Sequence, residues 1–413
     1  MPIQIIQSSD LPSAATARRT STVGEPSVAG VGQQALFTGN WYAAATVNGG
    51  GLWRHLDPFT FFPAADNGFC CDQSVIHDPS RDIFIWLLQY VRTGTGNTLR
   101  LAVKRGPTLD GGDDWYWWDL VPHQINPAWA NEWFDFNHAA LSDNFLYVVT
   151  NSFATTGAGA FTRSVVFRLP LDDLRQGTTL GLEFFQTTEN FSLRCTQGAT
   201  DVMYFGSHLR TLPARIRVFS WPESEAGVTS TEIPVTQWRG GNGYFSPGPD
   251  GNNWLGRCDP RITGGWVSSG IIGFIWSVDR QGTRPQPHVR VARIDEATMT
   301  ILDEPDLWSR GVALAYADAC PNGNGEVGIT VFFGGGGTAF PSHAVGAWDA
   351  AAGRWELRAS RIGTHGPVDG KWGDYVTCRP GHPDGSNWFA TGFVLDGGDD
   401  LDFIRPFLVR FSR

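Results

Sequence analysis

Carboxyl, guanidinium and imidazole groups recur in this sequence within short segments of similar pattern. They are Asp72 and Gln73; Asp135, Asn137 and His138; Arg194 and Gln197; Arg257, Asp259 and Arg261; Asp318; and Asp374, Tyr375 and Arg379. Together these residue types suit acid–base work on an oxygen-rich substrate. A carboxyl pair drawn from Asp72, Asp135, Asp259, Asp318 and Asp374 can protonate a leaving oxygen and stabilise developing positive charge, as glycosidic cleavage requires. His138 or Tyr375 can move a proton in an elimination from a uronic acid, provided a guanidinium neutralises the sugar carboxylate. Arg194, Arg257, Arg261 and Arg379 are the candidates for holding that carboxylate, because the guanidinium fork bonds it through two parallel hydrogen bonds. Trp129, Trp133, Trp254 and Trp372 stand just ahead of the same segments and are candidates for stacking on sugar rings. The competing reading makes all these groups a satisfied network of ion pairs and hydrogen bonds.

To bring such segments together the chain needs a repeating scaffold, and aligning it with itself at roughly 55 to 60 residues gives one. CDQSVIHDP (71–79) is followed by the strand-like FIWLLQY (84–90), LRLAVKR (99–105) and WYWWDL (115–120). The next unit repeats the order with FDFNHAAL (134–141), FLYVVTN (145–151), SVVFRLPL (164–171) and LEFFQTT (182–188). VMYFGSHL with RIRVFSW, IIGFIWSV with HVRVARI, and VGITVFF with HAVGAWD continue it. Each unit reads as four successive antiparallel strands, the scale of a propeller blade, with the polar segment on the innermost strand. The last unit, with WGDYVTCRP, WFATGFVL and FLVRFS, lacks a fourth strand, whereas IQIIQ (3–7) is left over at the N-terminus. Pairing the two closes the ring and hides the sheet edges that would otherwise be exposed. The expected fold is all-β: one seven-bladed β-propeller over residues 1–413, of four-stranded antiparallel blades, the first beginning near Glu25.

Two turns sharpen this expectation. TVNGGGLW (46–53) and TLDGGDDW (108–115) share the spacing Ser/Thr-x-Asp/Asn-x-Gly-x-x-Trp and lie between the third and fourth strands of adjacent units. Asn48 or Asp110 can bond turn amides, glycine accepts positive φ, and Trp53 or Trp115 can anchor the turn between blades. These turns resemble the Asp-box, or BNR, turns of sialidase-like propellers. The resemblance concerns the fold, and it implies that both turns are structural and lie away from the ligand-binding face.

The 413 residues are 41% hydrophobic and 17% charged, with 50 glycines, 25 prolines and 18 tryptophans, which suits a large β-rich core with many turns. A formal net charge of −10 argues against nucleic acid or an anionic membrane surface as partner. No apolar run is long enough to span a bilayer, and the start lacks the apolar centre of a secretory signal, so a soluble chain is expected. The six cysteines lack paired zinc-site spacings and read as buried thiols, five of them at equivalent points of the repeat, although one disulfide stays compatible with the sequence. His77, His138, His208, His288 and His343 form no metal motif, and GGGG (334–337) lacks the end of a phosphate loop, so neither metal nor cofactor is expected. The reading is therefore a carbohydrate-active propeller that binds, and on one version cleaves, an acidic or hydroxyl-rich glycan at its central funnel. A non-catalytic protein-interaction scaffold and an enzyme for a small non-sugar substrate are the alternatives, and the oligomeric state is left open.

Overall fold

The computed structural model describes residues 2–106, 108–109, 114–209, 214–241 and 243–413. Its strands form seven four-stranded antiparallel sheets, so the fold is a seven-bladed β-propeller. Strand β1 (Gln4–Asp10) is set apart from those that follow it in the chain. The first blade is β2 (Ser27–Val31), β3 (Gln34–Thr38), β4 (Ala43–Thr46) and β5 (Arg54–Leu56). The second is β6 (Phe69–Asp78), β7 (Ile83–Tyr90), β8 (Leu99–Arg105) and β9 (Trp115–Leu120). The third is β10 (Glu132–Leu141), β11 (Phe145–Ala154), β12 (Phe161–Pro170) and β13 (Glu183–Thr187). The fourth is β14 (Arg194–Cys195), β15 (Val202–His208), β16 (Arg215–Pro222) and β17 (Thr229–Pro234). The fifth is β18 (Ile262–Ser268), β19 (Ile271–Val278), β20 (His288–Asp295) and β21 (Thr300–Asp303). The sixth is β22 (Ala313–Pro321), β23 (Val327–Gly335), β24 (Ala339–Asp349) and β25 (Arg354–Arg361). The seventh joins β26 (Cys378–Gly381), β27 (Asn387–Leu395) and β28 (Ile404–Ser412) to β1.

The N-terminal strand therefore closes the ring as the repeat requires. It pairs antiparallel with β28, with Ile5 opposite Phe411 and Ser8 opposite Val409, and Arg358 of the sixth blade donates to the Ile3 carbonyl at 3.0 Å.

Burial explains the strand sequences. All eight residues of β7, IFIWLLQY, are buried because neighbouring blades cover both faces of a middle strand, which therefore has no need of a polar side. The outermost β9, WYWWDL, exposes Trp117 and Asp119, whereas Tyr116, Trp118 and Leu120 on the opposite face are half-buried or buried. The core lies between blades: Tyr147 and Val149 of the third cluster with Phe205 and Ile216 of the fourth and Phe274 and Trp276 of the fifth. Gly328 marks one close approach, where an added Cβ would lie 2.5 Å from the Trp388 ring of the next blade. That indole donates to the Cys320 carbonyl at 3.0 Å.

Where inner strands of adjacent blades touch they run parallel, as at Gln197 with Trp266 and Val31 with His382. Their leading ends therefore gather at one end of the axis and their trailing ends at the other. The turn at 46–53 joins a third strand to a fourth and so lies at the trailing end. There Asn48 accepts from the Leu52 amide at 2.8 Å, Gly49 and Gly50 have φ of 70° and 83°, and buried Trp53 donates to Ser9 of β1 at 3.2 Å. The second such turn has residues 110–113 outside the described residues.

Four inner strands are bulged: β6 on both sides of Cys71, β10 between Asp135 and His138, β18 between Ile262 and Gly264, and β22 between Ala315 and Asp318. A bulge inserts an extra residue and re-aims its neighbours. Phe136 and Tyr316 occupy two of these bulges at φ of 60° and 56°, a conformation that bulky residues rarely adopt. Among the described residues, no helix is long and apolar enough to cross a membrane.

Candidate functional site at the leading end of the axis

The predicted polar residues separate into two tiers. The tier nearer the leading ends holds Asp72, Asp135, Asp259, Asp374, Arg257 and Arg261, to which the structure adds Glu25. Arg257 donates to Asp374 Oδ2 at 3.3 Å. Arg261 pairs with Asp374 Oδ1 at 3.3 Å and with Asp259 Oδ2 at 2.7 Å, and it lies over the Phe136 ring at 4.3 Å. These groups meet solvent: the side chains of Arg257, Asp259, Arg261 and Asp374 are 43%, 22%, 17% and 13% exposed.

Acids outnumber bases in this tier, and the protons follow. Burial, then Asp135 and Asp374, push the Asp72 carboxyl up to about 7. Burial also raises the Glu25 carboxyl well above its ordinary value, with Asp72 and Asp374 adding to the effect, and Glu25 and Asp72 share a side-chain hydrogen bond. Burial raises Asp135 as well, although Gln89 opposes this by donating to its Oδ1 at 2.9 Å. Asn137 Nδ2 in turn donates to Gln89 Oε1 at 2.7 Å, which fixes the orientation of that amide. Arg261 and Arg257 stay cationic: burial opposes their charge, but Asp259 and Asp374 outweigh it for Arg261, and Asp374 and Glu25 for Arg257.

The second tier is buried, with two guanidinium groups gathered around one carboxylate. Arg194 donates to Asp318 Oδ1 at 3.0 Å, Arg379 approaches Oδ2 at 3.4 Å, and the Cys378 amide donates to Oδ2 at 2.9 Å. The three charged side chains are 3%, 1% and 3% exposed for Arg194, Asp318 and Arg379. His138 accepts from the Cys195 amide at 3.4 Å and is held neutral by burial and by the cations of Arg194 and Arg379. Gln197 donates to the Ala139 carbonyl at 2.9 Å, and Gln73 donates to the carbonyls of Gly39 and Tyr42 at 2.7 and 3.1 Å. These are struts between blades. Tyr375 is also buried; its hydroxyl donates to the Gln73 carbonyl at 3.4 Å, and burial followed by Asp72 and Glu25 raises it far above an ordinary phenol.

The tryptophans divide in the same way. Trp129, Trp254 and Trp372 are at most 1% exposed and belong to the core: Trp254 and Trp372 pack edge to face at 6.2 Å, and Trp129 donates to Gln186 at 3.1 Å. None offers a face to a sugar. Trp133 is half-buried between Phe153 and the Arg92 guanidinium, which lies 5.3 Å from its ring. The cysteines need one correction: Cys70 and Cys71 are joined in a disulfide immediately before Asp72, whereas Cys195, Cys258, Cys320 and Cys378 are buried thiols.

Glu25 was missed as a site residue, although the repeat carries the signal for it. Ser27 and Val28 match Ser74 and Val75, which places Glu25 opposite Asp72 in the alignment, and Ser27 Oγ accepts from the Val75 amide at 3.1 Å. Among the described residues, no group of three His, Cys, Asp or Glu side chains is arranged to hold a metal ion.

No protein-family model matches this chain, and no curated protein matches it. Solved structures similar to it include a mutant of the NanB sialidase from Streptococcus pneumoniae, at 10% identity and TM-score 0.45, covering 88% of this chain and 70% of that one. A mutant alpha-L-arabinofuranosidase from Fusarium graminearum is similar at 8% identity and TM-score 0.43, with 86% of this chain and 97% of that one covered. A Dyadobacter fermentans protein of unknown function is similar over 99% of both chains, at 10% identity and TM-score 0.45. Likeness at this level brings no activity to this chain.

Proposed function

We propose that the leading end of the axis binds and hydrolyses a hydroxyl-rich, uncharged glycan. The observation that carries this reading is a proton-holding carboxyl, Asp72, beside an arginine-paired carboxylate, Asp374, at a solvent-facing mouth. Glycosidic cleavage needs an acid that still holds its proton near neutral pH and a fixed negative charge near the developing oxocarbenium ion. Asp72 takes the first role, with Glu25 sharing its proton. Asp374 takes the second, oriented by Arg257 and Arg261.

Charge selects the substrate class. Five carboxyl groups, Glu25, Asp72, Asp135, Asp259 and Asp374, face two guanidinium groups, and both of those already hold Asp374. Arg194 and Arg379 lie buried in the tier below, around Asp318. A sugar carboxylate would meet net negative charge, whereas neutral hydroxyls would find acceptors on every side. The elimination chemistry has less support: His138 and Tyr375 are buried and engaged with backbone groups.

The test is a panel of neutral and uronic-acid polysaccharides assayed for reducing ends and for unsaturated products. Reducing ends should appear from the neutral panel, and Asp72→Asn should lower kcat by about 10²- to 10⁴-fold with the fold intact. Unsaturated products alone, or full activity in Asp72→Asn, would sink the proposal.

A further inference from the structure

At the opposite end of the axis the inner strands lead into their hairpin turns, and these enclose a cavity of about 250 Å³. Ile76, Leu141 and Pro321 form apolar wall, and Arg379 and His77 contribute polar groups. Both polar residues are more than nine-tenths buried, at 3% and 7% exposure, and each has a polar atom without a hydrogen-bond partner: Nε of Arg379 and Nδ1 of His77. The Arg379 guanidinium is also short of negative charge. Its acidic partner is Asp318, and that single carboxylate is shared with Arg194, so the buried trio carries a net positive charge. A buried cation without full compensation is costly, and an anion supplied from outside would relieve it.

From this geometry we infer that the trailing end of the axis is a second binding site, for a small carboxylate with an apolar body. Arg379 takes the carboxylate, and the apolar wall takes the rest. One guanidinium suits a monoanion better than a phosphate, which carries more charge and more acceptor oxygens. Asp78 and Asp143 also line the cavity; Arg81 pairs with Asp78 at 3.2 Å and the Ser80 amide donates to it at 2.9 Å, and Asp143 is exposed to solvent. Burial, joined by the repulsion of Arg194, already lowers the proton affinity of Arg379, and a bound carboxylate would oppose that effect. This site stands independently of any glycan activity at the other mouth.

Calorimetric titration of the full chain with sodium benzoate, and with benzamide as its neutral counterpart, tests the inference. Benzoate should bind at least about tenfold more tightly than benzamide, and Arg379→Gln should lose at least about tenfold in affinity. Because Arg379 is buried and that variant can unfold, Ser80→Trp is the second probe: Ser80 is an exposed turn residue on the cavity wall, and the indole would fill the space. It should abolish benzoate binding while leaving the circular dichroism spectrum unchanged. No benzoate binding by the unaltered protein, equal binding of benzamide, tighter binding of inorganic phosphate, or full affinity in Ser80→Trp would each overturn the inference.

Discussion

Asp72 and Asp318 are both inner-strand aspartates beside a bulge, yet their surroundings give them opposite characters. Asp318 lies between two arginines and a backbone amide, fully buried, and acts as the counter-ion that lets two cations sit inside the ring. Asp72 lies among Glu25, Asp135 and Asp374 where the mouth opens, and it keeps its proton to about neutral pH. Residue type does not separate the two roles. What separates them is the sign of the neighbouring charges and the access of solvent, and a carboxyl crowded by acids at an open mouth is the one equipped to give up a proton to a substrate.

The sharpest way to break this comparison is to remove each carboxylate in turn and measure stability by chemical denaturation. Asp318→Asn should cost about 3 to 5 kcal/mol, because it leaves Arg194 and Arg379 buried without a counter-charge. At pH 5, where folded Asp72 already holds its proton, Asp72→Asn should change stability by less than about 1 kcal/mol, because it swaps one neutral group for another that can still bond Glu25. Equal losses would remove the distinction between the tiers.

The pH dependence of stability should also differ. The folded protein holds the Asp72 proton up to about 7, whereas the unfolded chain releases it near 3.8. Between those values the folded state binds the extra proton, so this group favours folding most at the acid end and loses that contribution as pH rises through the window. Buried histidines act in the opposite sense. His138 is held neutral, and burial lowers His208 to about 4 and His343 to about 3, so acidification through the ordinary imidazole range disfavours the fold. The Asp72 contribution is therefore read as the difference between the unaltered protein and Asp72→Asn. That difference should fall by on the order of 1 kcal/mol or more between about pH 5 and 7.5. A flat difference would place Asp72 in an ordinary environment.

The smallest effect is expected far from both tiers. Asn48→Ala removes the bond to the Leu52 amide and should cost about 0.5 to 1.5 kcal/mol, with no change in the dependence on pH. A change in that dependence would connect the trailing-end turn to the mouth.

The blades could be read from the sequence because each strand order recurs and because middle strands such as FIWLLQY are apolar on both faces. Closure could be read because one strand was missing and one was spare. The inner polar residues were identifiable as a group for the same reason. Their division into two tiers was not, because it depends on which blades place their charges opposite one another across the axis: Arg194 meets Asp318 from a strand more than a hundred residues away. Trp254 and Trp372 looked like stacking surfaces because they precede polar segments, and only their burial, with Tyr316 against Trp254 and Phe393 stacked on Trp372, shows that neither ring is open to a sugar. The disulfide of adjacent Cys70 and Cys71 had no spacing signature, and Glu25 was obscured because a short first blade weakens its alignment with the second.

The most direct test of the account is a carbon-13 titration of the Asp72 carboxyl by nuclear magnetic resonance, assigned by its loss in Asp72→Asn. Asp72 should show a midpoint near 7, with Glu25 holding its proton well above the ordinary glutamate range. A midpoint near 4, the ordinary aspartate value, would contradict it.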